Sequence, residues 1–316
     1  MKKLSSHAFN DVRAWIYRNA RQLELAKWQY EFEYRSREDI LFALSFYQNE
    51  DGGFGNALEP DSWNPNSSPY TTLTAIEEIK DIGFIDINHP VMRGVFKFLE
   101  SGVHSNENGW LFNIPSNDNW PRAPWWTYSP EAEAVESIGV SAGIACFLLT
   151  YANKDSELYK KALAITEKLI HKLNELDKFG DMGVGGYCVL LETINELGLT
   201  HNFDTKLLKE KTRKLIKEAI EHDVSKWPLY GKRPSSFITT PDSLFYEDNK
   251  VIVEQELDYL IETKPEHGVW GITWSWYEHN EKYQKEFAIS ENWWKVDGAI
   301  EKLKFLRNFN RIEKAG

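Results

Sequence analysis

The chain predicts an all-α protein built from helical hairpins, and three observations carry that prediction. Apolar residues recur at helical spacing in most of the longer segments, and no stretch alternates strongly enough to support a sheet. Glycine–aromatic turns follow apolar helical runs at Gly52-Gly53-Phe54-Gly55, at Gly268-Val269-Trp270-Gly271 and, more loosely, at Gly109-Trp110. The first two copies align without a gap over the preceding helices. Leu41 then faces Leu257, Leu44 faces Leu260, Phe54 faces Trp270 and Gly55 faces Gly271.

Taken in order, residues 8–34 read as one long helix, with Phe9, Val12, Trp15, Ile16 and Leu23 near one stripe. A second helix, 37–48, enters the first turn, where two glycines reverse the chain and Gly53 is expected at positive φ. Residues 56–70 are a loop rich in Asn, Ser and Pro; such length without secondary structure points to function rather than connection. Thr71 or Thr72 caps a helix over 73–82, Gly83 stops it, and Pro90 opens another to residue 100. Residues 101–130 form the longest irregular stretch, and helices resume over 132–151, 156–176, 184–197 and 206–222. Gly139 and Gly143 permit close helix contact in the first of these. A further irregular stretch covers 227–241, a helix from about residue 242 leads to the second turn, and a tryptophan-rich segment precedes a last helix over 297–308. The expectation is one domain over 1–316, with residues 1–36 packing as an N-terminal helix on the rest.

Charge excludes some partners. With 48 acids against 37 bases and a net charge of -11, the chain lacks the basic surface that nucleic acid or an anionic bilayer requires. No apolar run approaches bilayer length, and the basic residues at the start have no apolar core behind them, so neither a span nor a signal peptide is expected. Cys146 and Cys188 stand far apart in helical contexts and read as buried reduced thiols. A cytoplasmic protein is expected; no oligomeric state is read. Aromatics make up 14% of the residues, with 13 tryptophans, which calls for a large core or an aromatic-lined cavity.

The first turn, with Gln48, Asp51, Gly52, Gly53, Phe54 and Gly55, resembles the repeat of the terpenoid cyclase and protein prenyltransferase superfamily, the squalene-cyclase repeat. The second copy keeps only the glycine and the tryptophan, with Lys264 in the Gln position and His267 in the Asp position. Gly-Gly-Phe-Gly followed by Glu59-Pro60-Asp61 is most similar to a group of uncharacterised bacterial single-toroid proteins. The resemblance covers most of residues 37–309 and implies a single α/α toroid, with the loops 56–70, 101–130, 227–241 and 270–295 lining one mouth. It does not bring the superfamily's catalytic motifs. Asp-x-Asp-Asp and Asp-Asp-x-x-Asp are absent, and Gly186 stands where the zinc-binding Asp-x-Cys pair would place its acid before Cys188. No metal and no cofactor are expected, and His104, His267 and His279 show no metal spacing.

The candidate catalytic groups are Glu59, Asp61 and Asp242. Glu59 and Asp61 read as a carboxylate pair in the long loop after the turn; the competing reading makes them caps or ligands of loop amides. For Asp242 the competing reading is a helix N-terminal charge. The candidate ligand-binding groups are Trp63, Trp120, Arg122, Trp125, Trp126, Arg233, Trp274 and Trp276. The arginines either clamp an anion or pair with nearby acids. The tryptophans divide between core and cavity, and adjacent Trp125 and Trp126 cannot both point inward on a regular helix. Aromatic walls with a few acids suit an isoprenoid passing through a carbocation, or a sugar stacked on aromatic faces beside an acid and a base. The expected partner is therefore a small molecule or an oligosaccharide, handled by cyclase-like or lyase chemistry, by a carbohydrate-active lyase or hydrolase, or bound by a non-catalytic scaffold.

Overall fold

The computed structural model describes residues 1–84 and 86–313. Among them are eleven α-helices: α1 (Ser6–Asn19), α2 (Gln22–Glu33), α3 (Arg37–Ser45), α4 (Pro69–Asp81), α5 (Pro90–Ser101), α6 (Glu133–Tyr151), α7 (Glu157–Glu175), α8 (Gly180–Glu196), α9 (Thr205–Ala219), α10 (Tyr246–Glu262) and α11 (Gln284–Asn308). One short hairpin joins β1 (Ser105–Asn106) to β2 (Gly109–Trp110). The all-α class holds. The chain forms two compact units, Met1–Ala43 with Lys217–Gly316, and Leu44–Ile216.

In the first unit, Val12 and Ile16 of α1 and Trp28 of α2 share a core with Val253, Leu257 and Leu260 of α10 and Val296, Ile300 and Leu303 of α11. The two ends of the described chain meet there. The Leu4 N–H donates to the Arg311 carbonyl at 2.7 Å, and the Glu313 N–H donates to the Leu4 carbonyl at 3.0 Å. The helix expected over 8–34 is two helices. Ala20 and Arg21 leave the helical region, at ψ 145 and 167. The Asn19 side chain there donates to the Trp15 carbonyl at 2.8 Å, a local bond that competes with the helical ladder. The last helix starts at Gln284 rather than near 297 and so takes in Trp293 and Trp294. Its first turns bury little apolar surface, which hid them from a periodicity reading.

In the second unit, α6 is flanked by α7 and α8. Small residues set the α6–α8 approach: a Cβ on Gly139 would stand 2.4 Å from the Met182 Cβ, and one on Gly186 would stand 3.1 Å from the Gly139 Cα. Gly143 makes room in the same way for Leu73 of α4. Against the expectation that no apolar run approaches bilayer length, helix α6 has the length and apolarity of a membrane span, and 61% of its span-length window is buried inside the fold.

The glycine turns have a common cause. Gly52, Gly109 and Gly268 all take positive φ, at 93°, 136° and 87°. The strained glycine of the first turn is therefore Gly52, and Gly53 is required for a different reason: its Cβ would meet Phe98 and Ser67 at 2.6 Å. A Cβ on Gly52 would stand 2.1 Å from the Gly94 carbonyl oxygen of α5, so the turn lies directly on that helix. Gln48 locks the contact by donating from Nε2 to the Gly52 carbonyl at 2.8 Å and to the Val91 carbonyl at 3.0 Å. In the second turn Lys264 holds the equivalent position, its side chain nearly covered, with its ammonium 3.6 Å from an Asp11 carboxylate oxygen.

Candidate functional site

Glu59 and Asp61 are presented by a strained reversal. Asn56 and Ala57 both take positive φ, at 57° and 58°, and the Leu58 N–H donates to the Gly55 carbonyl at 3.1 Å. A left-handed alanine costs roughly 1–2 kcal/mol, offset by the burial and hydrogen bonds of the Glu-Pro-Asp segment. That segment turns inward: Glu59 keeps 3% of its surface exposed and Asp61 1%. The Asp61 N–H donates to Glu59 Oε1 at 3.2 Å. The chain then runs beside 121–123, with the Trp63 N–H donating to the Pro121 carbonyl and the Ala123 N–H to the Asp61 carbonyl, both at 2.9 Å. The Trp63 indole, half-buried, closes onto the Pro60 carbonyl at 3.0 Å. Both carboxylates are thus interior groups rather than an exposed rim.

An asparagine network ties the two long loops of this unit together. Asn64 Nδ2 donates to Asn117 Oδ1 at 2.8 Å, Asn117 Nδ2 to Asn113 Oδ1 at 3.2 Å, and Asn113 Nδ2 to the Trp125 carbonyl at 2.8 Å. Arg122 serves the same framework. Its guanidinium pairs with Asp118 at 2.9 Å and donates to the Asn117 and Trp120 carbonyls at 3.2 Å and to Thr127 Oγ1 at 3.1 Å. Of its two sequence readings, pairing with an acid is the one observed. At the first turn of α6, both carboxylate oxygens of Glu133 accept backbone N–H groups, from Phe112 at 2.7 Å and Asn113 at 2.8 Å. Burial nonetheless raises the Glu133 pKa above the usual range, because the two bonds offset only part of the desolvation.

Aromatic rings cluster beside these loops. The two adjacent tryptophans split as a short 3₁₀ turn requires: Trp126 is 4% exposed and Trp125 37%. Trp120 is also exposed. Trp126 stacks on Phe112 at 4.8 Å and meets the Tyr70 ring edge-on at 4.4 Å. Its indole nitrogen is buried without a hydrogen-bond partner among the described residues. Tyr70, in the first turn of α4, is enclosed by protein yet only half-buried by surface. Burial holds its phenol well above the usual pKa, and the charges of Glu59, Glu77, Asp181 and Asp61 push the same way. The result is a neutral hydroxyl within the field of four acids, with the Phe112 and Trp126 rings beside it.

The remaining candidates lie in the other unit. Asp242 is exposed, four residues before α10, with its N–H donating to Thr240 Oγ1 at 3.2 Å. Trp276 is fully buried near Phe287, whereas half-buried Trp274 meets Trp294 edge-on at 5.4 Å. Arg233 donates to the Trp227 carbonyl at 2.8 Å and lies over the Tyr259 ring at 5.3 Å. Sequence reasoning missed Tyr70, Phe112, Glu133 and Asp181. Only Glu133 left a trace, as an acid in a helix first turn; the others enter through tertiary contacts. Among the described residues no group of three or more His, Cys, Asp or Glu side chains is placed to hold a metal. Compared with protein-family models, with curated proteins and with solved structures, the chain has no match in any of the three.

Proposed function

We propose that the unit Leu44–Ile216 binds a neutral, hydroxylated ligand of the oligosaccharide class and cleaves a glycosidic bond in it, with Glu59 and Asp61 as the acid–base pair. The observation that carries this reading is the environment of Tyr70. The charges of Glu59, Glu77, Asp181 and Asp61 all act on one enclosed phenol, Phe112 and Trp126 pack against its ring, and Arg122 is committed to Asp118. Such a field repels diphosphates and favours uncharged hydroxyls, which donate to carboxylates while the sugar face stacks on a ring. One carboxyl protonates the leaving oxygen, the other carboxylate assists water, and neutral Tyr70 holds a sugar hydroxyl.

A second reading is favoured by the stack of Phe112 and Trp126, 4.8 Å apart at 23°. Protonation of a neutral isoprenoid by one of the same acids would form a carbocation that these π-faces stabilise. The Gln48 bonds across the turn support membership of the terpenoid-cyclase and prenyltransferase superfamily and, with it, a single α/α toroid. The free, buried thiols of Cys146 and Cys188 suit a reducing compartment, so we place the protein in the cytoplasm.

The test is a binding and turnover screen with panels of neutral oligosaccharides and unphosphorylated isoprenoids, repeated with Glu59→Gln, Asp61→Asn and Tyr70→Phe. The expected result is one binding class from the sugar panel, turnover lost in both carboxylate variants, and weakened binding in Tyr70→Phe. Turnover of an isoprenoid alone would establish the second reading. Both carboxylate variants melting early while turning over ligand normally would make the pair structural and defeat both.

A further inference from the structure

One helix of this acid-rich chain carries charge of the opposite sign. The 15 residues of α9 include six cations, Lys206, Lys209, Lys211, Arg213, Lys214 and Lys217, against two acids, Glu210 and Glu218, in a chain of net charge -11. Leu208, Thr212 and Ile216 form its buried face. Lys206, Lys209, Arg213 and Lys217 are all exposed. They follow one another at steps of three and four residues, so on one continuous helix they share an arc of about 80° and run about 16 Å along the axis. Glu210 is the one acid bordering this row. Among the described residues, Lys206, Lys209 and Lys217 have no carboxylate within ion-pair distance. Lysines on other helices do. Lys160 pairs with Glu157 at 2.7 Å on α7, Lys250 with Glu247 at 3.8 Å on α10, and Lys295 with Glu291 at 2.6 Å on α11. The leucines of α9 are all buried or half-buried, so the row has no exposed apolar residue on its own helix to accompany it.

We propose that this row is a docking surface for an acidic segment of a partner protein, a run of Glu and Asp laid along α9. Charge complementarity carries the proposal. Four cations in line attract carboxylates, and Lys206, Lys209 and Lys217 have no acid of their own chain to give up first. Carboxylates spaced three and four residues apart on a second helix repeat the same rises along the axis, about 4.5 and 6 Å. A narrow partner suits the surroundings. A bilayer or a nucleic acid extends far beyond α9 and meets the field of the many other acids, whereas a single segment stays within a Debye length of the row, ~8–10 Å. Nor has α9 an apolar face to insert into lipid, since Leu208 and Ile216 are buried in the fold. The proposal does not rest on the role given to Glu59 and Asp61.

The experiment measures binding of a fluorescent poly-glutamate peptide of about twelve residues, long enough to span the row as a helix, by anisotropy. The full chain should bind it at low salt and lose affinity several-fold as ionic strength rises to ~0.15 M. Lys206→Gln, Lys209→Gln and Lys217→Gln combined should weaken binding several-fold. The melting temperature should stay nearly unchanged, because exposed substitutions of this kind move stability little. Lys206→Glu, Lys209→Glu and Lys217→Glu combined should abolish binding. The control removes the same number of charges from exposed positions elsewhere, with Lys3→Gln, Lys160→Gln and Lys250→Gln, and should bind almost as the parent does. Equal losses in the two Gln sets would reduce the effect to net charge and overturn the proposal. So would a peptide that does not bind, or tighter binding of phosphatidylserine vesicles or of an oligonucleotide than of the peptide.

Discussion

At the scale of single residues, the decisive groups are buried charges whose partners are backbone. Glu133 spends both oxygens on N–H groups of the 101–130 loop, so Glu133→Gln turns one acceptor into a donor facing a donor. The variant should lose roughly 1–3 kcal/mol, measured by denaturant unfolding. Lys302 carries a pH signature. Its folded pKa of about 8 lies below the ordinary 10.5, so between those values the unfolded chain binds more protons and stability rises with pH. Below pH 8 the full penalty applies, at most about 3 kcal/mol. Unfolding curves of Lys302→Met should therefore lack a stability gain that the parent shows between pH 8 and 10.5. Neither role was legible in the sequence. A glutamate at a helix start and a lysine near a helix end are ordinary there, and only tertiary neighbours make them unusual.

At the scale of elements, the glycine turns show what a repeat can and cannot reveal. All six aligned apolar positions, Leu41, Leu44, Phe54, Leu257, Leu260 and Trp270, are buried, because each copy must present the same face of a helix to a core. The alignment did not show which glycine bears the strain, since the choice between Gly52 and Gly53 depends on Gly94 in a helix forty residues on. Gly52→Ala combines positive φ with a Cβ driven into that backbone and should cost roughly 3 kcal/mol or more. Gly268→Ala meets nothing nearer than Trp15 at 3.6 Å and should cost only the backbone strain, about 1 kcal/mol. Equal losses in melting temperature would show that the two turns are packed alike. Helix boundaries failed where polar chemistry ends or extends a helix without changing its periodicity, as at Asn19 and at the start of α11.

At the scale of the whole molecule, the helical class was legible because periodicity and turns agree throughout the chain. The candidate carboxylates were proposed from their position after the turn; their burial was not legible, since Asn, Ser and Pro around them read as exposed loop. The division into two units was invisible, because one is assembled from segments 173 residues apart, counting 44 to 216 inclusive. That assembly is testable. Removing residues 1–19 takes away Val12 and Ile16 from the core of α10 and α11, together with the Leu4–Arg311 pairing. Hydrogen exchange should then lose protection across α10 and α11 while α6 and α8 keep theirs. Loss of protection in all four would show that the units unfold as one.

The meeting of Leu4 with Arg311 also sets a timetable for synthesis. The first 43 residues emerge from the ribosome with Val12, Ile16 and Trp28 facing a partner that does not yet exist. At the usual ~5–20 residues per second, the next 173 residues, 44 to 216, alone keep them waiting on the order of ten to thirty seconds. The nascent chain therefore carries the apolar faces of α1 and α2 unsatisfied through that interval, and a holding chaperone would find a binding site there.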